Sequence, residues 1–403
     1  MNELSSLGLI LLFALFAGHL VKFLRLPEVT GYILAGVAVG PSLLGWVSHE
    51  NLSTLSVFSE VALGLILFTL GSIFEIDRIV AIGRGIARIT LMESAIAALL
   101  VTGGMLALGQ PWQVSFLLGT IAMETAAAST LMVIRECNAS GVMTETVTGI
   151  IGLNNIFCLI GFSLVAAMID LTTTNVNVSF LQTLYQSLFP LVWQLVGSVA
   201  LGFLVGILLA SWATKVIEHG ELSILLIGCM LLCVGVALML DLSTLIASMS
   251  VGATLSNLSA HSKRMFSALS RADPPFYAIF FVIAGADLNL ELLGSIGVLG
   301  LVYVLGRTSG KLLGARIGAK NAGLPEVARR WLGVSLMSQA GLAIGLTLII
   351  HRRFPEYSGA VSTVVLAAVV FYEMIGPIST KFAISRSGEA MPRVSQPVES
   401  FFP

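Results

Sequence analysis

Charged residues are scarce in this 403-residue chain, because Asp, Glu, Lys and Arg together make up 11% of it while 56% is hydrophobic. A soluble domain carries about 25% charged residues, so the composition excludes an ordinary soluble protein. The mean hydropathy of +0.96 indicates an integral membrane protein that crosses the bilayer many times. Its apolar runs are about 20 residues long, which excludes a β-barrel and predicts an all-α bundle of transmembrane helices.

Cysteine is also rare, and the four cysteines are scattered. Cys229 and Cys233 lie one helical turn apart, but no His or acid completes a metal-ligand pattern with them, so all four cysteines, Cys137 and Cys158 included, are expected to be small buried thiols. No nucleotide-binding glycine motif, enzyme constellation or nucleic-acid-binding pattern stands out. We therefore expect neither an enzyme nor a bound cofactor, and no nucleic-acid partner.

Apolar stretches predict thirteen transmembrane helices, the first of which is followed by no A-x-A-like cleavage site and is interpreted as a retained span. The tenth span is short, and only "LDLS" separates the eighth from the ninth. The approximate limits are 5–24, 30–47, 53–74, 86–108, 112–134, 145–169, 188–213, 221–239, 242–258, 274–287, 291–317, 327–350 and 357–383.

The basic residues of the loops fall almost entirely on one side of this topology. When loops are placed alternately on two sides, only Arg352 and Arg353 lie opposite the others. Basic loops stay in the cytoplasm, which predicts an external N-terminus and a cytoplasmic C-terminus in a bacterial-type inner (plasma) membrane. Residues 1–388 would form the transmembrane domain, followed by a short cytoplasmic tail, 389–403.

The two halves of the chain resemble each other in two places. "LPEVTGYILAGVAVG" (26–40) is similar to "LSTLIASMSVGATLS" (242–256), and "GTIAMETAAASTLMVI" (119–134) is similar to "GVSLMSQAGLAIGLTL" (333–348). An odd number of spans separates the copies, so the second copy is inverted in the membrane. This predicts an inverted repeat, about 5–169 and 221–383, around a linker helix, 188–213, with an ion or substrate site where two broken helices cross at mid-membrane.

Glu124 and Thr125 lie near the middle of the fifth span, and Ser338 and Gln339 occupy the corresponding place in the second copy. Both stretches are rich in small residues, which let helices approach closely or break. Ionisable groups within a membrane are functional candidates, so we predict that these four residues line an ion site. The alternative is a tightly packed helix pair in which Glu124 bonds to a neighbour.

Four further polar residues lie within predicted spans. Arg307 and Lys311 are four positions apart and share one helix face, and at least one is expected to be buried and functional. Asn154 and Asn155 are neutral, so they can ligate a cation through oxygen or bond across helices, but they cannot carry a proton. Because adjacent helical residues point about 100° apart, we predict that they line the site as well.

Three other acids lie within predicted spans. Glu60 and Glu93 are expected to make helix contacts or to support the site from outside its ligand shell. Glu373 precedes "MIGP", and we expect it to lie at a helix contact.

Five motifs in order resemble one known family over residues 5 to 388. They are "KFLRLPEVTGYILAGVAVGPSLLG", "AASTLMVIRE", "GRTSGKLLGARIGAK", "SQAGLAIGL" and "FYEMIGPISTKFA", and together they are similar to the monovalent cation/proton antiporter-2 family of Kef-type and sodium/proton exchanger-like membrane proteins. The resemblance implies a homodimer in which each protomer has a dimerisation domain and a six-helix core that moves like an elevator. The ion site would lie where the two broken helices cross.

The chain departs from the family where the ion-binding acid is expected. The family's Asp in the sixth span falls on Asn155, preceded by Asn154, whereas relatives commonly carry a small residue at Glu124. Lys311 matches the family's intramembrane Lys that can pair with the missing acid. A buried Lys without an acid costs several kcal/mol, so we hypothesise that the titrating carboxylate has moved to Glu124.

The sequence thus predicts a secondary transporter that exchanges Na⁺ or K⁺ for protons. Glu124, Asn154 and Asn155 would bind the monovalent cation, and Lys311, with Arg307, would compete with it for the acid. Two alternatives remain: a cation-coupled symporter or uniporter of another solute or anion, and a non-transporting membrane sensor or assembly subunit.

Overall fold

The computed structural model describes residues 3–72, 76–173, 180–213, 216, 219–259, 262–290 and 297–391. All regular secondary structure in this part of the chain is helical, as the sequence predicts. The helices are α1 (Glu3–Phe23), α2 (Glu28–Val39), α3 (His49–Gly71), α4 (Ile76–Ala107), α5 (Trp112–Ile121), α6 (Ala127–Glu136), α7 (Val142–Thr173), α8 (Phe180–Ala213), α9 (His219–Met239), α10 (Thr244–Leu258), α11 (Ser262–Ala286), α12 (Gly297–Asn321), α13 (Glu326–Trp331), a 3₁₀ helix (Leu332–Leu336), α14 (Gly341–Arg353) and α15 (Pro355–Ser387).

Several of these helices are long and apolar enough to cross a membrane. Within the described residues there are six, or seven if the bent pair Glu326–Leu336 and Gly341–Arg353 counts as one span: Leu4–Phe23, Gly83–Ala107, Val142–Asp170, Val192–Trp212, Gly220–Met239 and Pro355–Ser387. Shorter apolar helices, Glu28–Val39, Val57–Thr69, Trp112–Ile121 and Pro274–Ala286, accompany them. The protein is therefore an all-helical membrane protein, and the total of thirteen spans stays a prediction.

Two predicted spans are interrupted in the middle. Residues 122–126 separate α5 from α6, and residues 337–340 separate the 3₁₀ helix from α14. The two segments meet, because the Ala126 N–H donates to the Ser338 carbonyl over 3.0 Å. Small residues in both segments permit this close approach. Both spans are therefore interrupted at these residues, and we call the contact of the two segments the crossover.

A row of glycines packs α12 against α4. A Cβ atom on Gly310 would lie 2.4 Å from the Ala97 Cα, and one on Gly314 would lie 2.5 Å from the Glu93 Cα. Positions four apart lie on the same helix face, and glycine there lets two helices come into backbone contact. This packing places Glu93 on the face of α4 that Lys311 meets.

The buried apolar side chains form three clusters. The largest is centred on α4 to α7, α12, α14 and α15, whereas two smaller ones join α3 with α8 to α11 and α1 with α2, α3 and α11. Cys158, Cys229 and Cys233 are buried thiols, as predicted, whereas Cys137 is only half-buried. We call the helices of the largest cluster, α4 to α7, α12, α14 and α15, the core group, and α1 to α3 with α8 to α11 the peripheral group.

Candidate ion-binding site

A cavity of about 670 Å³ lies between the two groups of helices. Glu124 and Asn155, both predicted site residues, line it together with the first turns of α6 and α14. Helix N-termini leave backbone N–H groups unbonded and carry partial positive charge. The cavity therefore reaches the crossover, where the two broken helices restart.

Arg307 on α12 donates hydrogen bonds to both segments of the crossover. Its guanidinium donates to the carbonyl oxygens of Met337 at 2.8 Å, Ser338 at 3.0 Å and Glu124 at 2.7 Å. It also lies over the Tyr372 ring, 4.2 Å from the ring centroid, and it is fully buried. A broken helix leaves carbonyl groups without intrahelical partners, so Arg307 satisfies groups that would otherwise be unpaired in the membrane.

Lys311, one turn further along α12, forms an ion pair with Glu93. The Nζ atom lies 2.6 Å from Glu93 Oε2, and both side chains are fully buried. The ammonium also donates to Thr125 Oγ1 at 2.8 Å and to the Met123 carbonyl. Lys311 thus has a counter-charge on α4 and two hydrogen bonds to the first broken helix.

The acid that pairs with Lys311 differs from the one expected from the sequence, which was Glu124. The glycine row of α12 brings its backbone against α4, and this places the Glu93 carboxylate next to the ammonium. Asn154 on α7 donates from Nδ2 to Glu93 Oε1 at 2.5 Å and to Ser94 Oγ at 3.0 Å. Asn154 thus orients the Glu93 carboxylate and does not line the cavity.

The Glu124 side chain is 1% exposed and turns toward the second broken helix. Its Oε2 accepts a hydrogen bond from the Ala340 N–H over 3.3 Å. Within the described residues, no Lys or Arg forms an ion pair with it. Glu124 is therefore a buried carboxylate that borders the cavity and whose charge is opposed only by backbone dipoles and by the more distant cations of α12.

Thr125, Ser338 and Gln339 contribute to the crossover and do not line the cavity. Gln339 donates from Nε2 to the Ile121 carbonyl at 3.0 Å and to Tyr303 Oη at 2.8 Å. The Ser338 carbonyl accepts from both Ala126 and Arg307, and Thr125 accepts from Lys311. The structure therefore brings all eight predicted site residues together, but only two of them face the cavity.

Several buried oxygens on the cavity lining have no hydrogen-bond partner among the described residues. They are Asn155 Oδ1, Ser129 Oγ, Ser59 Oγ and Glu373 Oε1. Buried polar groups are nearly always hydrogen-bonded, because leaving one unsatisfied costs about 1–3 kcal/mol. Hard cations prefer oxygen ligands from carboxylate, amide and hydroxyl groups, so these residues fit a cation in the cavity. Within the described residues, no group of three or more His, Cys, Asp or Glu is arranged to hold a metal ion.

Two acids that the sequence assigned to helix contacts or to the surroundings of the site border this cavity. Glu60 on α3 and Glu373 on α15 both line it. Their sequence signal was only the presence of an acid within an apolar span. Which face of a helix meets a cavity depends on packing, so that signal did not separate them from acids in dry contacts.

The chain matches a known family over nearly its whole length. The profile described as "Sodium/hydrogen exchanger, transmembrane" covers residues 8–386. The chain is 25% identical over 386 residues to the ammonium/H(+) antiporter subunit AmhT of Alkalihalophilus pseudofirmus, covering 95% of this chain and 94% of that protein. It is 22% identical over 400 residues to the Na(+)/H(+) antiporter of Enterococcus hirae, covering 95% of this chain and 98% of that protein.

The fold is also found among solved structures. The sodium proton antiporter MjNhaP1 from Methanocaldococcus jannaschii superposes with a TM-score of 0.74 at 18% identity, covering 97% of this chain and 99% of that chain. This similarity establishes the architecture, and the family profile confirms the resemblance drawn from the five motifs. The chain belongs to the sodium/hydrogen exchanger family of integral membrane proteins.

Proposed function

We propose that this protein exchanges a monovalent cation, Na⁺ or K⁺, for protons by alternating access across a bacterial-type inner membrane. Membership of the sodium/hydrogen exchanger family supports cation/proton exchange, and two relatives are themselves described as proton antiporters. The observation that carries the proposal is the place of Glu124, a buried carboxylate that borders a cavity at the crossover. Ion sites of secondary transporters lie at such discontinuous helices.

In this proposal, a single carboxylate, that of Glu124, couples cation transport to proton transport. Glu124 can bind a proton or a cation, and each excludes the other, because protonation removes the charge that attracts the cation. Asn155 lies on the same cavity and offers the amide oxygen Oδ1, which has no other partner among the described residues. In this proposal Asn155 is a neutral ligand at the position where family members carry Asp, and Glu124 supplies the charge.

Lys311 takes a different part from the one expected from the sequence. Its ammonium is paired with Glu93 and donates to Thr125 and the Met123 carbonyl, and it forms no ion pair with Glu124. The competition of Lys311 with the cation for Glu124 is therefore not part of the proposed mechanism. In the proposed mechanism, Lys311 and Arg307 stabilise the crossover through their hydrogen bonds, and Asn154 orients the Glu93 carboxylate.

The proposal keeps the thirteen-span inverted repeat, with repeats at about 5–169 and 221–383 and a linker helix at 188–213. Two reciprocal helix contacts support it. A Cβ atom on Gly36 of α2 would lie 2.1 Å from the Val282 carbonyl oxygen of α11, and one on Gly252 of α10 would lie 1.9 Å from the Phe68 carbonyl oxygen of α3. Gly36 and Gly252 occupy the same position in the match of 26–40 with 242–256. The contact of α2 with α11 therefore corresponds to the contact of α10 with α3, as an internal repeat requires.

The orientation and assembly belong to the same proposal. The N-terminus is placed outside and the C-terminus in the cytoplasm, because the basic loops fall on one side, and two protomers form a homodimer in the lipid bilayer. Residues 1–388 form the transmembrane domain and 389–403 the cytoplasmic tail, of which 392–403 lie outside the described residues.

Flux measured in liposomes tests the proposal. The purified protein is reconstituted with an acidic lumen and a trapped pH dye, and Na⁺ or K⁺ is added outside. NH₄⁺, for which the AmhT relative is named, is left out because NH₃ crosses the bilayer and takes up luminal protons without a transporter. We expect at least one cation to alkalinise the lumen promptly, with protein-free liposomes as the control for passive leak.

No change in the dye signal beyond that of protein-free liposomes, with either Na⁺ or K⁺, contradicts the proposal. Uptake of a labelled solute or anion under that condition would support a symporter or uniporter. The absence of both, together with no cation-dependent stabilisation of the purified protein, would support a non-transporting sensor or assembly subunit.

A further inference from the structure

Glu373 is a buried acid that forms no ion pair with any residue the structure describes. It is 5% exposed, it lines the same cavity as Glu124, and its Oε1 accepts no hydrogen bond from any described residue. No ion pair in the described part of the chain includes it. A carboxyl group held this way in a protein interior is costly, so its position calls for a ligand that the protein itself does not provide.

The orientation of Glu373 is imposed by its neighbours on α15. Tyr372 lies under the Arg307 guanidinium and donates from Oη to the Val304 carbonyl at 2.9 Å. Three residues after Glu373, a Cβ atom on Gly376 would lie 2.3 Å from Ser338 Oγ. These contacts clamp α15 against α12 and the crossover, and they leave Glu373 on the face that borders the cavity.

Glu373 is the polar member of an otherwise apolar stripe. Leu366, Val369 and Val370 precede it on the cavity lining at helical spacing. If α15 only packed against the cavity wall, a hydrophobic side chain at position 373 would cost less free energy to bury than an acid does. An acid at this one position indicates that charge is needed there.

The cations nearest to the crossover are already engaged. Arg307 bonds three carbonyl groups, and Lys311 is paired with Glu93. The unpaired oxygens of Asn155 and Ser129 face the same cavity. The surroundings of Glu373 therefore offer more oxygen acceptors and no uncommitted protein cation within the described residues.

We infer that Glu373 is a second anionic ligand of the transported cation, which would bind between the Glu124 and Glu373 carboxylates with Asn155 completing its oxygen shell. The inference rests on the proposed exchange function and deepens it. Two carboxylates attract a cation more strongly than one, so Glu373 sets the apparent cation affinity, while Glu124 at the crossover carries out the exchange.

The test compares cation dependence in variants that preserve side-chain size. Glu373→Gln keeps the shape and removes the charge, Glu373→Asp keeps the charge, and Glu356→Gln, at an exposed acid of the same helix, is the matched control. Exchange in liposomes is measured against cation concentration. We expect Glu373→Gln to raise the KM for the cation about tenfold or more, with a smaller effect from Glu373→Asp and none from Glu356→Gln.

A second readout separates ligand binding from folding. The melting temperature of each purified variant is measured with and without the cation. We expect Glu373→Gln to melt near the wild type without cation, but to need about tenfold more cation for the same stabilisation.

Wild-type exchange together with an unchanged KM and unchanged cation-dependent stabilisation in Glu373→Gln would overturn the inference while leaving the exchange function intact. A wild-type protein that exchanges no cation would instead overturn the proposed function. Loss of cation-free melting stability in Glu373→Gln, with no recovery in Glu373→Asp and with the cation dependence of stabilisation unaltered, would assign Glu373 to packing and also overturn the inference.

Discussion

Lys311 Nζ on α12 lies 2.6 Å from Glu93 Oε2 on α4, and neither side chain is exposed. The family resemblance places the acid for this lysine on the sixth span, where this chain has Asn155. The charge is balanced instead by Glu93 of α4, through the helix contact that the α12 glycines create. Lys311 therefore has a buried counter-charge on α4, although Asn154 and Asn155 of α7 are both neutral.

Removing one member of this pair should be far more harmful than removing both. Glu93→Gln leaves an uncompensated buried ammonium and Lys311→Gln leaves a buried carboxylate, each costing about 3–5 kcal/mol. The double variant has no charge, and its two amides can still bond Asn154, Thr125 and the Met123 carbonyl. We expect the single variants to express poorly and melt early, and the double variant to regain most of the melting temperature and exchange activity.

A double variant that folds but exchanges nothing would contradict this, because it would show that the Lys311 charge itself takes part in transport. The comparison with wild type is made in the same liposomes, at saturating cation.

Arg307→Lys should not be a conservative change. The guanidinium bonds three carbonyl groups on both sides of the crossover, and a lysine ammonium cannot reproduce this planar fork. Each carbonyl left unpaired costs about 1–3 kcal/mol. We expect a clear fall in melting temperature in detergent, measured beside Arg316→Lys on the same helix, and a melting temperature equal to that of the wild type would count against the role assigned to Arg307.

Gly310→Ala should destabilise the protein, although alanine normally favours a helix by about 0.5–1 kcal/mol over glycine. The new Cβ would lie 2.4 Å from the Ala97 Cα, so α12 and α4 would have to separate, at a cost of about 1–3 kcal/mol. Gly235→Ala on α9 is the control, because no atom lies within 4 Å of the added Cβ. We expect opposite signs for the two changes in melting temperature, and a stabilising Gly310→Ala would refute the close contact.

Glu389 should stabilise the start of α7. Its carboxylate accepts from the N–H groups of Met143 at 2.8 Å and Thr144 at 2.7 Å, and from Thr144 Oγ1 at 2.7 Å. Acidic groups at a helix N-terminus are favoured by the unbonded N–H groups and the helix dipole. We expect Glu389→Ala to cost about 1 kcal/mol and to speed amide hydrogen exchange at the first turn of α7, whereas unaltered exchange there would show that the contact contributes nothing.

The sequence was sufficient for the features that depend on composition and local pattern. Low charge and long apolar runs predict the helical bundle, and small residues beside Glu124 and Gln339 predict the two interruptions. Both follow from what a short stretch of chain can or cannot do in a membrane.

The partners of the buried charges could not be predicted in the same way. Helical periodicity shows that Arg307 and Lys311 share a face, but not that α4 is the helix opposite Lys311. The contact of Glu93 with Lys311 depends on the position of α12 along α4. The place of Glu373 on the cavity depends on the rotation of α15 about its axis. The contact of Glu389 with α7 likewise joins segments far apart in the chain, which no local pattern reveals.

Glu124→Gln tests the central claim most directly. The variant keeps the size of the side chain and the acceptor for the Ala340 N–H, and removes only the charge and the exchangeable proton. Cation-driven alkalinisation is measured in liposomes against wild type and Glu124→Asp, after equal reconstitution has been verified. We predict that Glu124→Gln abolishes exchange while Glu124→Asp retains part of it, and cation-driven exchange at the wild-type rate in Glu124→Gln would contradict the account.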